Sequence, residues 1–300
     1  MSGKGMTARI CAFSRAYHAK HNTVKIFDDT MAEKLLTKEE YITISENMSQ
    51  GIAYFNRTFA GTSEEALRWV VDNQLSQTPL ARAAFTEASL KEAVEQGTTQ
   101  YLIFAAGYDT FAYRQPEWAK GLSIYEIDYP STSEDKVNRL AAGKIPVPAN
   151  VHFVQADFSK MNWQKALEDT PAYKKENVSF CSMLGIIYYL SKETFEEYMD
   201  VISRLACKGS SIIFDYPNEQ YFKGQKKHLE LANAAKETMQ ACYSYSQMKS
   251  LLARYGFEIK DHLDASGMTK RYFSEYNKAN PDHVMVAQKN VNYCLAVKNR

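Results

Sequence analysis

The stretch Tyr101–Arg114 reads YLIFAAGYDTFAYR, and its reading decides the fold. An apolar run stops at Ala105-Ala106-Gly107, and Asp109-Thr110 follows at once. In open α/β sheets, ligands bind just beyond the carboxyl ends of the strands, so this turn is a candidate cofactor loop. A pyrophosphate grip calls for G-x-G-x-x-G at a helix amino terminus, and here Gly107 stands alone. By itself the stretch fits a cofactor loop and an ordinary strand end equally well.

On either side of it the pattern is clearer. Gln100–Ala105, Leu122–Ile127, Val151–Gln155, Val178–Met183 and Ser211–Asp215 are short runs rich in β-branched and aromatic residues, and they are predicted to be strands. A helix between the last two places Phe195, Met199, Ile202 and Leu205 on one face, with Gly209 past its end. Strands alternating with helices imply parallel pairing through crossovers. Met248, Leu251, Leu252 and Tyr255 then mark a helix stopped by Gly256. Phe257–Leu263 and Val291–Val297 follow as an antiparallel pair, with residues Asp264–Asn290 predicted as a long polar and aromatic loop.

Upstream, Thr37-Lys38-Glu39-Glu40 and Thr62-Ser63-Glu64-Glu65 fit the capping box. Ala66, Trp69 and Val70 recur at helical spacing, and a further helix is predicted over Ala83–Gln96 up to Gly97. Residues 1–97 are therefore expected to form a helical cap packed on a core of residues 98–300, the two making one compact unit. Five parallel strands and a closing antiparallel pair outline an α/β fold of the class I methyltransferase type. It is Rossmann-like, with a mostly parallel seven-stranded sheet.

Composition narrows the function. With 45% hydrophobic and 24% charged residues the chain is globular, and a formal charge of +1 gives no general pull toward nucleic acid or an anionic membrane. Cys11, Cys181, Cys207, Cys242 and Cys294 have no metal or redox spacing. Cys181, Cys207 and Cys294 lie in apolar runs and are expected to be buried. No run approaches the ~20 apolar residues of a membrane span, so a cytoplasmic protein is expected.

The strand ends supply candidate ligands. Asp128 closes the second strand, 21 residues beyond Gly107, where a carboxylate can accept both ribose hydroxyls. Asp157-Phe158 follow the third strand, an acid for an adenine amine beside a ring to flank the base. Met183-Leu184-Gly185 follow the fourth. Each feature alone reads equally as a turn or cap residue. In order at consecutive strand ends, they suit an adenosine cofactor without a phosphate grip, which is S-adenosylmethionine.

These residues resemble the leucine carboxyl methyltransferase-like family of S-adenosylmethionine-dependent methyltransferases over nearly the whole chain. The family's G-x-G-x-D-T-R-x-Y-R segment is similar to Ala105–Arg114, its acidic strand end to Glu126-Ile127-Asp128-Tyr129-Pro130, and its G-x-x-x-Y-L block to Gly185–Leu190. The resemblance implies that Arg82 grips the methionine carboxylate with a planar, always charged fork, assisted by Arg15. It implies that Ala105, Gly107 and Asp109 pass along the methionine part, Asp128 holds the ribose, and Asp157 and Phe158 hold the adenine. Arg114 is expected to pair with Asp109 and fix the loop, and Tyr188 is a candidate pocket residue. Tyr272, Phe273 and Tyr276 are expected to shape the acceptor pocket. Two positions depart from the family pattern. Ala105 replaces a glycine and fits if its backbone keeps a negative φ. Leu184 replaces the glutamate that meets the cofactor's ammonium, leaving Glu126 or Asp109 for that role.

The expected activity is O-methylation of a carboxylate or hydroxyl on a small molecule, with no metal. A carboxylate acceptor needs no general base, and none of His18, His21, His152, His228, His262 and His283 is singled out as one. An impaired, methyltransferase-like binding or scaffold protein and a protein carboxyl methyltransferase are the alternatives. The absence of G-x-S-x-G argues against an α/β-hydrolase.

Overall fold

The computed structural model describes residues 5–160, 162–220 and 240–299; His228 lies outside them. The strands are β1 (Gln100–Phe104), β2 (Ser123–Asp128), β3 (Val151–Gln155), β4 (Ser179–Met183), β5 (Ser211–Pro217), β6 (Phe257–Leu263) and β7 (Val291–Lys298). They form one sheet in the order β3-β2-β1-β4-β5-β7-β6. Neighbours from β3 to β5 are parallel, and β7 runs antiparallel to both β5 and β6. The chain fills one side of β1, then returns to place β4 on the other. The crevice at the carboxyl ends of β1 and β4 is thus the switch point at which such sheets bind ligands.

Burial follows from this order. All residues of β1, β4 and β5 are buried, as near-continuous apolar runs covered on both faces should be. Leu102 and Phe104 pack to one face with Phe195, Met199 and Ile202 of the Lys192–Leu205 helix. Tyr101 and Ile103 pack to the other, against Leu80, Phe85 and Leu90 of the Gln77–Glu95 helix. Each such side chain contributes roughly 1.5–3 kcal/mol on full burial, so the two faces together carry the core. Cys181 and Cys294 are buried as expected, whereas Cys207 is only half-buried.

Both capping boxes form, at Thr37 with Glu40 and at Thr62 with Glu65. From Ser63 helical structure runs on to Glu95 through a π-turn at Val71–Leu75 and a bend at Ser76, so the last helix starts before the expected Ala83. Its Pro79 sits in the first turn, where the missing N–H costs nothing. The first helix, α1 (Met6–His21), is buried at every position from Ala12 to Ala19.

The expected loop at Asp264–Asn290 is instead largely helical. Ala265–Met268, Thr269–Phe273 and Ser274–Ala279 follow one another, started by Asp264 accepting from the Gly267 N–H at 2.8 Å. The middle piece is a π-turn, which moves Met268, Phe273 and Tyr276 off a 3.6-residue spacing and hides the pattern. Phe273 and Tyr276 are fully buried in the core.

The π-turn at Val71–Leu75 buries Asp72 to 3% exposure. Arg68 Nε lies 3.3 Å and His283 Nδ1 3.9 Å from its Oδ2. Burial, partly countered by Arg68, pushes the Asp72 carboxyl from its ordinary 3.8 up to about 6. A carboxyl raised in the folded state contributes stability below its unfolded value and loses it as pH rises through the folded one. A shift of that size corresponds to up to about 3 kcal/mol. Wild type should therefore lose stability relative to Asp72→Asn between pH 4 and about 6. Denaturant midpoints of the two proteins across that range measure this; parallel pH profiles would refute it.

Candidate active site

The turn after β1 is held from β2. Asp128 Oδ2 accepts the Gly107 N–H at 2.6 Å, and its Oδ1 accepts the Tyr129 N–H at 2.7 Å. Burial raises the Asp128 carboxyl pKa, against these two donors. Gly107 has φ 45° and Ala105 φ 51°, so the condition under which an alanine fits without strain at 105, a negative φ, is not met. The turn needs a left-handed residue at both places, and at the first it has an alanine. Asp109 Oδ1 accepts the Phe111 N–H at 2.8 Å, starting the short Phe111–Arg114 helix.

A buried ionic cluster backs this turn. Asp29, fully buried, accepts from Arg15 Nε at 2.8 Å, Thr110 Oγ1 at 2.8 Å and the Ala32 N–H at 3.1 Å. Arg15 also donates to the Tyr108 carbonyl at 2.7 Å. Arg114 pairs with Glu87 and with Asp29, not with Asp109 as expected, because its Nε already donates to Thr110 beside Asp29.

The turn after β4 is shaped by Arg82. The guanidinium lies so close to Gly185 (φ 71°) that a Cβ there would sit 2.2 Å from Nη1. Arg82 Nη1 is 3.5 Å from the fully buried Asp215, and Nη2 donates to Cys11 Sγ at 3.3 Å. Asp215 also accepts the Gly185 N–H at 2.7 Å and the Tyr188 hydroxyl at 2.8 Å. Tyr188 is thus buried in this support, and Tyr189 reaches the cavity instead.

Between the two turns lies a cavity of about 610 Å³. Arg15, Arg82, Ala105, Gly107, Asp109 and Leu184 all line it, so six of the expected site residues converge. Asp128, Asp157 and Phe158 do not line it. Asp157 is turned to its own loop, accepting from Ser159 N–H at 3.1 Å and Ser159 Oγ at 2.6 Å, which holds its carboxyl below the usual range. Phe158 packs with Phe104, Trp163 and Tyr198. Tyr272, Phe273 and Tyr276 are also absent from the cavity wall.

Glu126 is not available to an ammonium group. It is buried with Lys136 Nζ at 2.7 Å and the Tyr113 hydroxyl at 2.7 Å. Burial pushes its carboxyl up and Lys136 opposes that. Removing one partner of such a pair typically costs about 3–5 kcal/mol, which marks Glu126 as structural. His18 is likewise structural: its Nε2 accepts the Ile26 N–H at 2.9 Å and burial lowers its pKa to about 4. Cys11, Asp29 and Glu87 are cavity residues that no sequence pattern singled out.

Comparison with known proteins agrees with the fold. A family model described as leucine carboxyl methyltransferase matches residues 8–203. The chain is 36% identical to YktD of Bacillus subtilis (strain 168), provisionally named an S-adenosyl-L-methionine-dependent methyltransferase, over 98% of this chain and 97% of that protein. It is 26% identical to Rv3399 of Mycobacterium tuberculosis (strain ATCC 25618 / H37Rv), provisionally given the same activity, over 89% of this chain and 73% of that one. Among solved structures, a protein from Thermobifida fusca YX provisionally described as a methyltransferase superposes with a TM-score of 0.57. The two are 12% identical, covering 86% of this chain and 95% of that one. A DUF574 family protein from Streptomyces avermitilis gives a TM-score of 0.56 at 12% identity, covering 83% and 96%. The fold is that of the class I methyltransferases.

Ala105→Gly should raise stability by about 0.5–1 kcal/mol. A left-handed conformation costs a non-glycine residue roughly 1–2 kcal/mol, and the extra chain entropy of glycine takes back roughly 0.5–1. Urea unfolding of the two proteins decides this; a less stable glycine variant would show that the methyl group packs to advantage.

Proposed function

The chain belongs to the leucine carboxyl methyltransferase family and is an S-adenosylmethionine-dependent methyltransferase, and from that premise we propose that it O-methylates a small molecule, with a carboxylate as the preferred acceptor. The observation that supports the acceptor is that no histidine among the described residues lines the switch-point cavity to serve as a base, and the one that supports the cofactor is the Arg82 guanidinium seated on Gly185 in its wall. It supports Arg82 as the grip for the methionine carboxylate, since a fixed planar fork matches a carboxylate bidentately. With Leu184 in the family's glutamate position, Asp109 is the acid we assign to the cofactor's ammonium. Its Oδ1 is engaged with the Phe111 N–H and the residue lines the cavity. By the family resemblance Asp128 is assigned to the ribose, and Asp157 with Phe158 to the adenine; they stand at the ends of β2 and β3, outside the cavity wall, so in this assignment the cofactor extends past the cavity along the strand ends. Arg15 supports the cavity through Asp29.

When bound, S-adenosylmethionine supplies an electrophilic methyl group on a sulfonium, already activated for transfer. The chain's part is to hold the acceptor oxygen in line at about 3–3.5 Å and to exclude water. A carboxylate is anionic at neutral pH, so the transfer needs no proton acceptor. A cavity of about 610 Å³ that must also admit the cofactor leaves room for a small acceptor, which favours one over a protein tail.

Arg82→Lys should weaken S-adenosylmethionine binding by about 10- to 100-fold, since hydrogen bonds to charged groups are worth roughly 1.5–3 kcal/mol. Isothermal titration of folded wild type and variant reads this out; equal affinities would remove Arg82 from the cofactor site. Incubating the protein and S-adenosylmethionine with a metabolite extract should yield low-mass products heavier by one methylene that lose the gain on mild alkaline ester hydrolysis. Label found only in protein would favour a protein acceptor instead.

A further inference from the structure

A second cavity, of about 570 Å³, lies where the far end of α1 meets the Ser63–Val70 helix, the π-turn after it and the Pro281–His283 turn. It shares no lining residue with the switch-point cavity. α1 contributes Cys11 and Arg15 to the first and Tyr17 and His21 to the second.

We infer that this second cavity is a binding site for an organic ammonium ion, with Tyr17, Phe59 and Trp69 as aromatic walls and Glu64, Asp72 and Asp282 as its counter-charge. Aromatic faces attract such a cation through the ring quadrupole, and carboxylates accept its N–H groups or balance its charge. The floor is built for this. Asp72 is 3% exposed and lines the cavity, and its Oδ2 has no hydrogen-bond donor among the described residues. Arg68 is its ion-pair neighbour at 3.3 Å and also donates to Asn22 Oδ1 at 2.8 Å. That guanidinium is the lone Lys or Arg among the lining residues, against the carboxylates of Glu64, Glu65, Asp72 and Asp282. Burial raises the Tyr17 hydroxyl pKa to about 12, with Asp72 and Glu64 adding to the rise against Arg68. Tyr17 is held in place by a stacked His21 ring 3.9 Å away.

Other occupants fit less well. An anion would meet the carboxylate surplus, with the one guanidinium already engaged. A hard metal cation would have to shed tightly held water to reach aromatic walls, and no cluster of metal-ligating residues occurs among the described residues.

The protein is titrated at pH 8 and constant ionic strength with propylammonium, tetramethylammonium and potassium chlorides. The indole N–H signal of Trp69, assigned with Trp69→Phe, is followed by NMR. Running each titration with and without S-adenosylhomocysteine separates this site from the cofactor cavity, so that failure of one reading leaves the other testable. A saturable shift is expected with either ammonium ion, with a dissociation constant on the order of 1 mM, whether or not the nucleoside is present. Replacing the exposed acids together, as Glu64→Gln with Asp282→Asn, should weaken it about tenfold while Asp72 is left to keep the fold. The proposal fails if potassium gives the same shift, if neither ammonium ion saturates, or if the double variant binds as tightly as wild type.

Discussion

The Asp29 carboxylate is the point on which the site depends. It is fully buried and gathers Arg15 from α1, Thr110 from the turn after β1, Arg114 from the short helix beyond it, and its own Ala32 N–H. Burial alone would raise its pKa, but Arg15 and Arg114 outweigh that and hold the carboxyl below its usual range. A buried charge of this kind persists only when fully paired. The helical segment before the sheet is thereby fastened to the turn after β1 by charge as well as by packing. Arg114 carries the link further, to Glu87 on the helix that also bears Arg82.

Much of the architecture was readable from residues alone, for physical reasons that differ by element. β1, β4 and β5 are buried on both faces, so an uninterrupted apolar run was enough to identify them. Thr37 and Thr62 announced their helices through a reciprocal bond that needs only a hydroxyl and a carboxylate three residues apart. The Asp264–Asn290 segment was misread because a π-turn displaces its buried aromatics from helical spacing. No periodic rule finds such a shift, since it comes from the tertiary fit of Phe273 and Tyr276.

The site was readable where the strand-end rule applies and opaque elsewhere. Gly107, Asp109 and Leu184 follow strands and do line the cavity. Asp215 lies in β5 and would have yielded to the same rule, had it been extended by one strand. Asp29 sits in an aperiodic stretch and becomes visible only when α1 and the turn after β1 meet in space. The left-handed Ala105 is a further case, because nothing in an alanine announces its φ. Gly185 shows the reverse relation. Its lack of a side chain is required by a guanidinium from a residue over a hundred positions away.

The sheet order also bears on how the chain reaches its native state. β7 lies between β5 and β6, and β6 pairs within the sheet through β7. During synthesis β5 and β6 both emerge before β7, so each has an open backbone edge that its later neighbour will cover. Unpaired edges of this kind template pairing with other chains, and domains assembled from distant segments expose them for longer. The interval between making Leu263 and making Lys298 is therefore when the nascent protein is most open to mispairing, and when a bound chaperone would matter most.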